Sequence, residues 1–312
     1  MIDWCAAGGI SLFQSDLVSL YAGGFALELV PELGGSIASL SWDAPDGRSV
    51  SLLRPAQPSD IASRNPSRLA CFPLVPFANR IEGSRFAFAG REYRLTPNRP
   101  PDPMAIHGYG FQAAWRVQAM DSRSIRLAHE HRLPHGPFCY RAEQTIHLEA
   151  TNVRIELSVT HEGEEPMPYG IGLHPWLPRP PDTQLQFSAE HVFIPDETSL
   201  PRAPEAVGAD LDFATSRAVS DVVPLDACFA GWSRRAVVLW PTAGYGVDIG
   251  ASGAFCAVHV FAPEDRAVVC IEPVSHVPNV HNRPEWASFA PLHTLKQGET
   301  LRGEMMIKPV VI

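Results

Sequence analysis

The sequence predicts an all-β protein with antiparallel pairing. Three observations lead there: short runs in which apolar and polar residues alternate with period two, turn formers between those runs, and no capped stretch with a sustained 3.6-residue apolar stripe. "GFALELV" and "SIASLSW" open the series. "RFAFAG" and "REYRL" follow, and Ala89-Gly90 between them suits a tight hairpin turn. "WRVQAM" then precedes "SIRLAHEH", and "ATN" connects the alternating runs of "RAEQTIHLEA" and "NVRIELSVTH", which predicts a second hairpin. The remaining strand signals are "AVVLW", "YGVDIG", "CAVHVFA", "AVVCIEP" and "GEMMIKPVVI". Helical signal is confined to "SRLACF" and "PEWASF", each enough for a turn or two.

Thirty prolines punctuate the chain, concentrated around 54–76, 97–103, 166–181 and 195–204. Proline has no N–H to give a sheet ladder, so these stretches read as long irregular connections between strands. Such loops on a rigid β scaffold commonly carry function.

The totals narrow the function classes. A chain of 312 residues would by length suggest two domains, but all-β sandwiches often run long, and a single domain over 1–312 is expected. With 45% hydrophobic and 19% charged residues the chain has material for a core and too little charge for disorder. Its formal charge of -9 would repel nucleic-acid phosphates and anionic membranes, so neither partner is expected. No apolar window is long enough to cross a bilayer, and the opening "MIDWCAAGGISLF" lacks a basic n-region, which predicts a soluble, cytoplasmic protein. Six scattered cysteines without a C-x-x-C pair read as reduced thiols.

Within this frame a few residues could carry chemistry. The run "AVVCIEPV" places Val268, Cys270 and Glu272 on one face, with the carboxylate at the rim of an apolar surface where burial would raise its pKa and suit a general base. A strand-end carboxylate bound to a backbone N–H or an arginine is the other reading. His174 in "YGIGLHPWLP" stands among Gly170, Gly172 and Pro175, and the glycines leave space for something to approach. Taken alone, a histidine here is more often a hydrogen-bonded structural residue.

Asn79 and Arg80 follow an apolar, proline-bounded segment, where the guanidinium suits a hydroxyl cluster or a carboxylate, or could pair with Glu82 at the surface. His107 precedes a glycine, with Tyr109, Phe111 and Trp115 close by in sequence. A metal site is not expected. His129 and His131 share one strand face and His276 and His281 lie near Glu272 in sequence, but no third ligand stands at a suitable spacing. No G-x-S-x-G elbow or P-loop lysine is present.

In order along the chain, "PFANRIEGSRFAFAGREYRL", "HGYGFQAAW", "YGIGLHPWL", "LDACFAGW" and "CIEPVSHVPNVHN" resemble the aldose 1-epimerase (mutarotase) family, in its shorter bacterial branch. The resemblance implies a large antiparallel β-sandwich with an open groove across one sheet. It implies Glu272 as catalytic base and His174 as catalytic acid, with Glu272 ionised and His174 protonated at neutral pH. Arg80, His107, Asp226, Asn79 and Trp176 would contact the sugar, an aldohexose such as glucose or galactose. No cofactor is implied, and the protein would be a monomer or homodimer. The chain departs from the better-known members in "HPWLP" after His174 and "GYG" after His107, so specificity does not carry over. Two rivals share the fold: a hexose-6-phosphate mutarotase, which would need extra cations such as Arg99, Arg179 or Arg283, and a sugar-binding sensor without turnover.

Overall fold

The computed structural model describes residues 17–132 and 136–312; Cys5 and the opening segment lie outside them. Nearly all the regular structure is antiparallel β, as the alternation predicts. An 11-stranded sheet runs, in spatial order, through Val18–Ala22, Phe25–Val30, Ser36–Asp43, Cys71–Leu74, Gly172–Pro178, Val268–Val274, Ala257–Ala262, Leu225–Ala230, His191–Pro195 and Pro201–Ala206, with Ser49–Leu53 off this path beside Ser36–Asp43. A 9-stranded sheet faces it, with Cys139–Leu148, Val153–His161, Thr300–Val311 and Tyr245–Gly253 as its long central members.

Both predicted hairpins form. Arg85–Phe88 pairs with Arg91–Arg94 through Ala89 and Gly90, whose φ angles of 49° and 77° match the left-handed pair that a tight two-residue hairpin turn requires. Cys139–Leu148 pairs with Val153–His161 from Leu148 opposite Val153 outward. The helical signals become short 3₁₀ turns at Pro66–Arg68 and Pro284–Ser288. An α-helix missed in the sequence, Pro58–Ala62, starts where the Asp60 carboxylate accepts the Gln57 N–H at 2.9 Å.

Three of the proline-rich stretches read as irregular connections contain strands instead, one of them the edge strand Pro201–Ala206. Cys71–Leu74 includes Pro73, and Gly172–Pro178 includes Pro175 at an interior position. The physical reason is local. Pairing of Gly172–Pro178 with Val268–Val274 runs from Gly172 opposite Val274 to Trp176 opposite Cys270, without ladder pairs between them, so Pro175 falls where no N–H is asked for.

The central strands of the larger sheet are buried on both faces, and the two faces differ. Leu173, Leu177, Val258, Val260, Ala227, Phe229, Val269 and Ile271 point into the main core, which also holds Ile146, Ile155, Leu157, Ile249 and Met305 of the facing sheet. Each Val, Leu, Ile, Phe or Met side chain among them contributes about 1.5–3 kcal/mol when fully buried. The opposite face carries Phe72, Trp176, Cys228, Cys270 and Val274, covered by Val277, Val280 and Trp286 in a second apolar cluster. That second face positions the polar residues described next.

Cys71, Cys139, Cys228, Cys256 and Cys270 are free thiols. Among the described residues no helix is long and apolar enough to cross a membrane.

Candidate active site

Period-two alternation and strand register together lay a row of side chains across the outer face of the larger sheet. His174 lies opposite Phe72, and Cys228 lies opposite His259. Glu272 lies opposite His259 on one side. On its other side the register puts it level with His174, midway between the Gly172–Val274 and Trp176–Cys270 pairs. The row therefore reads Phe72, His174, Glu272, His259, Cys228. One step along the strands, Trp176, Cys270, Phe261 and Asp226 form the neighbouring row.

His174 and Glu272 converge: Nε2 lies 3.2 Å from Oε1, with the two side chains 8% and 4% exposed. Glu272 is not at a rim, as expected from its strand-end position, but within the sheet. Burial, opposed by the His259 charge, pushes its pKa up to about 8. Burial likewise holds His174 well below the usual imidazole value, helped by the positive charges of His259 and Arg99. Both shifts run against a carboxylate facing an imidazolium, because burial favours the neutral form of each group.

A second histidine–carboxylate pair adjoins the first. His259 Nε2 meets Asp226 Oδ1 at 2.7 Å. Burial alone would depress His259, yet contacts to Asp226 and Cys228 and the charges of Glu272 and Asp226 raise it well above its ordinary value. Burial would raise Asp226, but the His259 hydrogen bond and charge hold it below the usual carboxylate range. His259 was not singled out in the sequence. Its signal was a lone imidazole in the apolar run "CAVHVFA", with the parity of Phe261 and Ala257.

Asn79, Arg80 and His107 reach the pocket from two loops knotted together. Asn79 and His107 both adopt left-handed backbone, with φ of 59° and 60°. They exchange bonds, the His107 N–H donating to the Asn79 carbonyl at 3.0 Å and the Asn79 N–H donating to His107 Nδ1 at 3.1 Å. Nδ1 is thus an acceptor, so the neutral ring carries its proton on Nε2; burial keeps it neutral, with its pKa well below the ordinary value. Gly108 is required beside it, since a Cβ there would run into the Val75 carbonyl. Arg80 does not pair with Glu82. Its Nε donates to Asp102 Oδ2 at 2.8 Å, which fixes the guanidinium, while Glu82 takes Asn279 and Arg283.

The pocket enclosed by these groups is lined by Asn79, Arg80, Arg99, Ile106, His107, His174, Asp226, His259, Phe261 and Glu272, and measures about 390 Å³ including its open mouth. Of the seven residues expected at a site, six are among the lining. Trp176 is not. Its ring stacks on His174 at 5.0 Å and 10°, with the guanidinium groups of Arg54 and Arg266 lying 4.6 and 4.9 Å from its ring. It supports the imidazole rather than the pocket wall. The glycines before His174 also serve the protein itself: a Cβ on Gly170 would collide with the His276 ring, whose Nε2 accepts the Ala78 N–H at 3.0 Å.

Among the described residues one trio could present metal ligands, His174, Cys270 and Glu272, whose donor atoms lie within 4.8 Å of one another. Burial keeps the Cys270 thiol protonated, its pKa well above the ordinary value, and raises Glu272 as well, so the trio is poor in the anionic donors a divalent ion asks for. His281 lies away from the pocket among Phe77, Phe86 and His276.

The comparison with known proteins agrees with this geometry. The family model described as aldose 1-epimerase matches residues 16–308. The uncharacterized protein YphB of Escherichia coli K12 is 34% identical over 89% of this chain and 94% of its own length. A solved Escherichia coli K12 structure provisionally assigned as an aldose 1-epimerase superposes with a TM-score of 0.85 at 31% identity, covering 95% of this chain and 99% of that one. A galactose mutarotase-like protein from Clostridium acetobutylicum shares the fold, with a TM-score of 0.83 at 18% identity over 95% of each chain. With a family match over nearly its whole length, an antiparallel sandwich and a pocket built on its larger sheet, the chain belongs to the aldose 1-epimerase family.

Proposed function

We propose that the protein interconverts the α and β anomers of an aldose by acid/base ring opening and reclosure, with Glu272 and His174 as the proton-transfer pair. The observation that carries this reading is their 3.2 Å contact at the floor of a polar pocket. One group removes the proton from the anomeric hydroxyl O1 while the other protonates the ring oxygen O5. The aldehyde then rotates about C1–C2 and closes on its other face. Each positioned proton-transfer group typically contributes about 10²–10⁴ in rate.

Below about pH 8 the pair holds one proton, which burial favours on Glu272. Passing it across the contact to His174 gives a carboxylate base and an imidazolium acid without a proton from solvent. A sugar favours that arrangement, because its O1–H donates to a carboxylate and its O5 accepts from an imidazolium. The His259 cation favours the carboxylate form of Glu272 but disfavours an imidazolium at His174, so the bias toward the transferred state comes from the sugar's own hydrogen bonds. Arg80 and the Nε2–H of His107 supply donors to the other hydroxyls, and Asp226 an acceptor. No step calls for a cofactor. In this reading the whole of 1–312 works as one sandwich unit in the cytoplasm, as a monomer or homodimer.

Polarimetry on freshly dissolved α-D-glucose and α-D-galactose tests the proposal, comparing the wild type with Glu272→Gln and His174→Asn. The expected result is accelerated decay of rotation that each variant loses by about 10²–10⁴. Near-normal turnover in either folded variant would sink the assignment.

A further inference from the structure

We propose that His276, which stands outside the pocket lining, is a positioning residue for sugar binding: its imidazole holds the Asn79–Arg80 loop against the strands that carry His174 and Glu272. The inference rests on the reading that a sugar occupies this pocket for anomer exchange, and it adds what keeps the sugar-contacting side in place.

The pocket is built on two kinds of backbone. His174 and Glu272 stand on interior strands of the larger sheet, where Gly172–Pro178 is paired with Cys71–Leu74 on one side and Val268–Val274 on the other. Asn79 and Arg80 lie outside that sheet, next to the short pairing of Arg80–Ile81 with Ala105–Ile106. Side chains fix them instead. Successive backbone N–H groups donate to side-chain acceptors, Ala78 to His276 Nε2 at 3.0 Å, Asn79 to His107 Nδ1 at 3.1 Å and Arg80 to Asn79 Oδ1 at 2.8 Å. Of these acceptors, only His276 belongs to the chain segment that continues from the Glu272 strand.

The His276 ring is set up for that one bond. Nδ1 lies 2.9 Å from the Val277 carbonyl, which places the proton there and leaves Nε2 to accept. Burial lowers its pKa to about 4, so the lone pair on Nε2 is kept at neutral pH. With Nδ1 donating and Nε2 accepting, no lone pair is left for a metal ion.

The same segment grips the approach to His174. The Ser275 N–H donates to the Ile171 carbonyl and Ser275 Oγ accepts the Ile171 N–H, both at 2.9 Å. Gly170, whose lack of a Cβ admits the His276 ring, donates its N–H to the Pro76 carbonyl at 2.8 Å. Ser275 and His276 therefore join the segments that carry Glu272, His174 and Arg80, and neither lines the pocket. Removing the Nε2 acceptor leaves the buried Ala78 N–H unpaired. The loop then gives way while strand pairing keeps Glu272 and His174 together. Lost contacts to the bound sugar raise KM and spare kcat.

The test measures anomer exchange by NMR on glucose and galactose with the wild type, His276→Leu and His276→Gln. Leucine offers no acceptor, whereas the glutamine amide oxygen can stand where Nε2 stands. The expected result is a KM about tenfold or more higher in His276→Leu with kcat within about threefold, and both constants within about threefold of wild type in His276→Gln. An unchanged KM in the leucine variant, a loss carried by kcat instead, or a glutamine variant no better than the leucine one overturns the proposal and leaves the reaction standing. Should His276→Leu fail to fold, the wild type decides: the His276 Nε2 nitrogen resonance shifts on saturation with glucose if the imidazole holds a loop that the sugar loads, and an unmoved resonance overturns the proposal. Absence of exchange in the wild type overturns the reaction instead. Calorimetry on the same sugars then decides about His276, since affinity lost in the leucine variant and restored in the glutamine one supports the positioning role and any other pattern overturns it.

Discussion

Two histidine–carboxylate pairs sit side by side on one sheet face and hold their protons in opposite ways. His259 and Asp226, 2.7 Å apart, form an ion pair in which the imidazole is raised and the carboxylate lowered. His174 and Glu272, 3.2 Å apart, shift the other way, the carboxyl up and the imidazole down. The difference lies in access to water. The Asp226 side chain is 42% exposed and that of Glu272 only 4%. Where the carboxylate keeps its hydration the pair separates charge, and where it does not the pair shares one proton. A charged pair is fixed; a neutral pair with a mobile proton is poised for transfer.

The comparison can be broken most directly at the pH profile. If Glu272 and His174 share one proton, kcat/KM falls above about pH 8, where that proton is lost, by about tenfold per pH unit. Because the His259 charge favours ionised Glu272, His259→Gln moves this alkaline limb to higher pH. A limb that stays in place in the variant would show that the two pairs are electrostatically independent.

A smaller effect is expected on stability. Glu272 keeps its proton in the folded chain to about pH 8 but loses it near the ordinary value of 4.5 when unfolded. Its contribution is fully present below pH 4.5 and is lost as pH rises through 8. Glu272→Gln does not titrate, so its Tm gains on the wild type between those limits, by an amount on the order of a few kcal/mol in unfolding free energy. Thermal melts at intervals from pH 4.5 to 8 check this, and a constant Tm difference would contradict it.

The smallest effect is expected at Trp176. Its Nε1 is buried without a hydrogen-bond partner, and its ring stacks on His174 outside the pocket lining. Trp176→Phe keeps a stacking ring and removes the unpaired donor, so KM for the sugar changes by less than about threefold. A rise of tenfold or more would restore Trp176 as a sugar contact.

Much of the fold and part of the site were legible in the sequence. Alternation revealed most strands, and Ala89-Gly90 marked its hairpin. Glu272 stood out as the one carboxylate closing an apolar run with Cys270 on its face. His174 was ambiguous until the five ordered motifs were taken together. The strands around Pro73 and Pro175 were hidden because proline weakens the signal that alternation gives. His259 and Asp102 escaped for another reason. Their roles depend on partners supplied by other strands and loops, such as Glu272 level with His259 or Arg80 reaching Asp102. Local sequence does not encode that register. The direction of the Glu272 shift was legible, but its extent depends on how deeply the side chain is covered, which only packing decides.

The row from Phe72 through His174, Glu272 and His259 to Cys228 has a consequence for folding. Its members come from segments far apart in the chain, and a slip of one residue in any contributing strand would turn that member into the main core. The reacting pair therefore exists only after the long-range strand pairings have closed in the right alignment. Turnover thus reports on the completed topology more strictly than secondary-structure content does. During refolding, recovery of activity should trail recovery of the β-sheet signal, making the chain its own gauge of correct assembly.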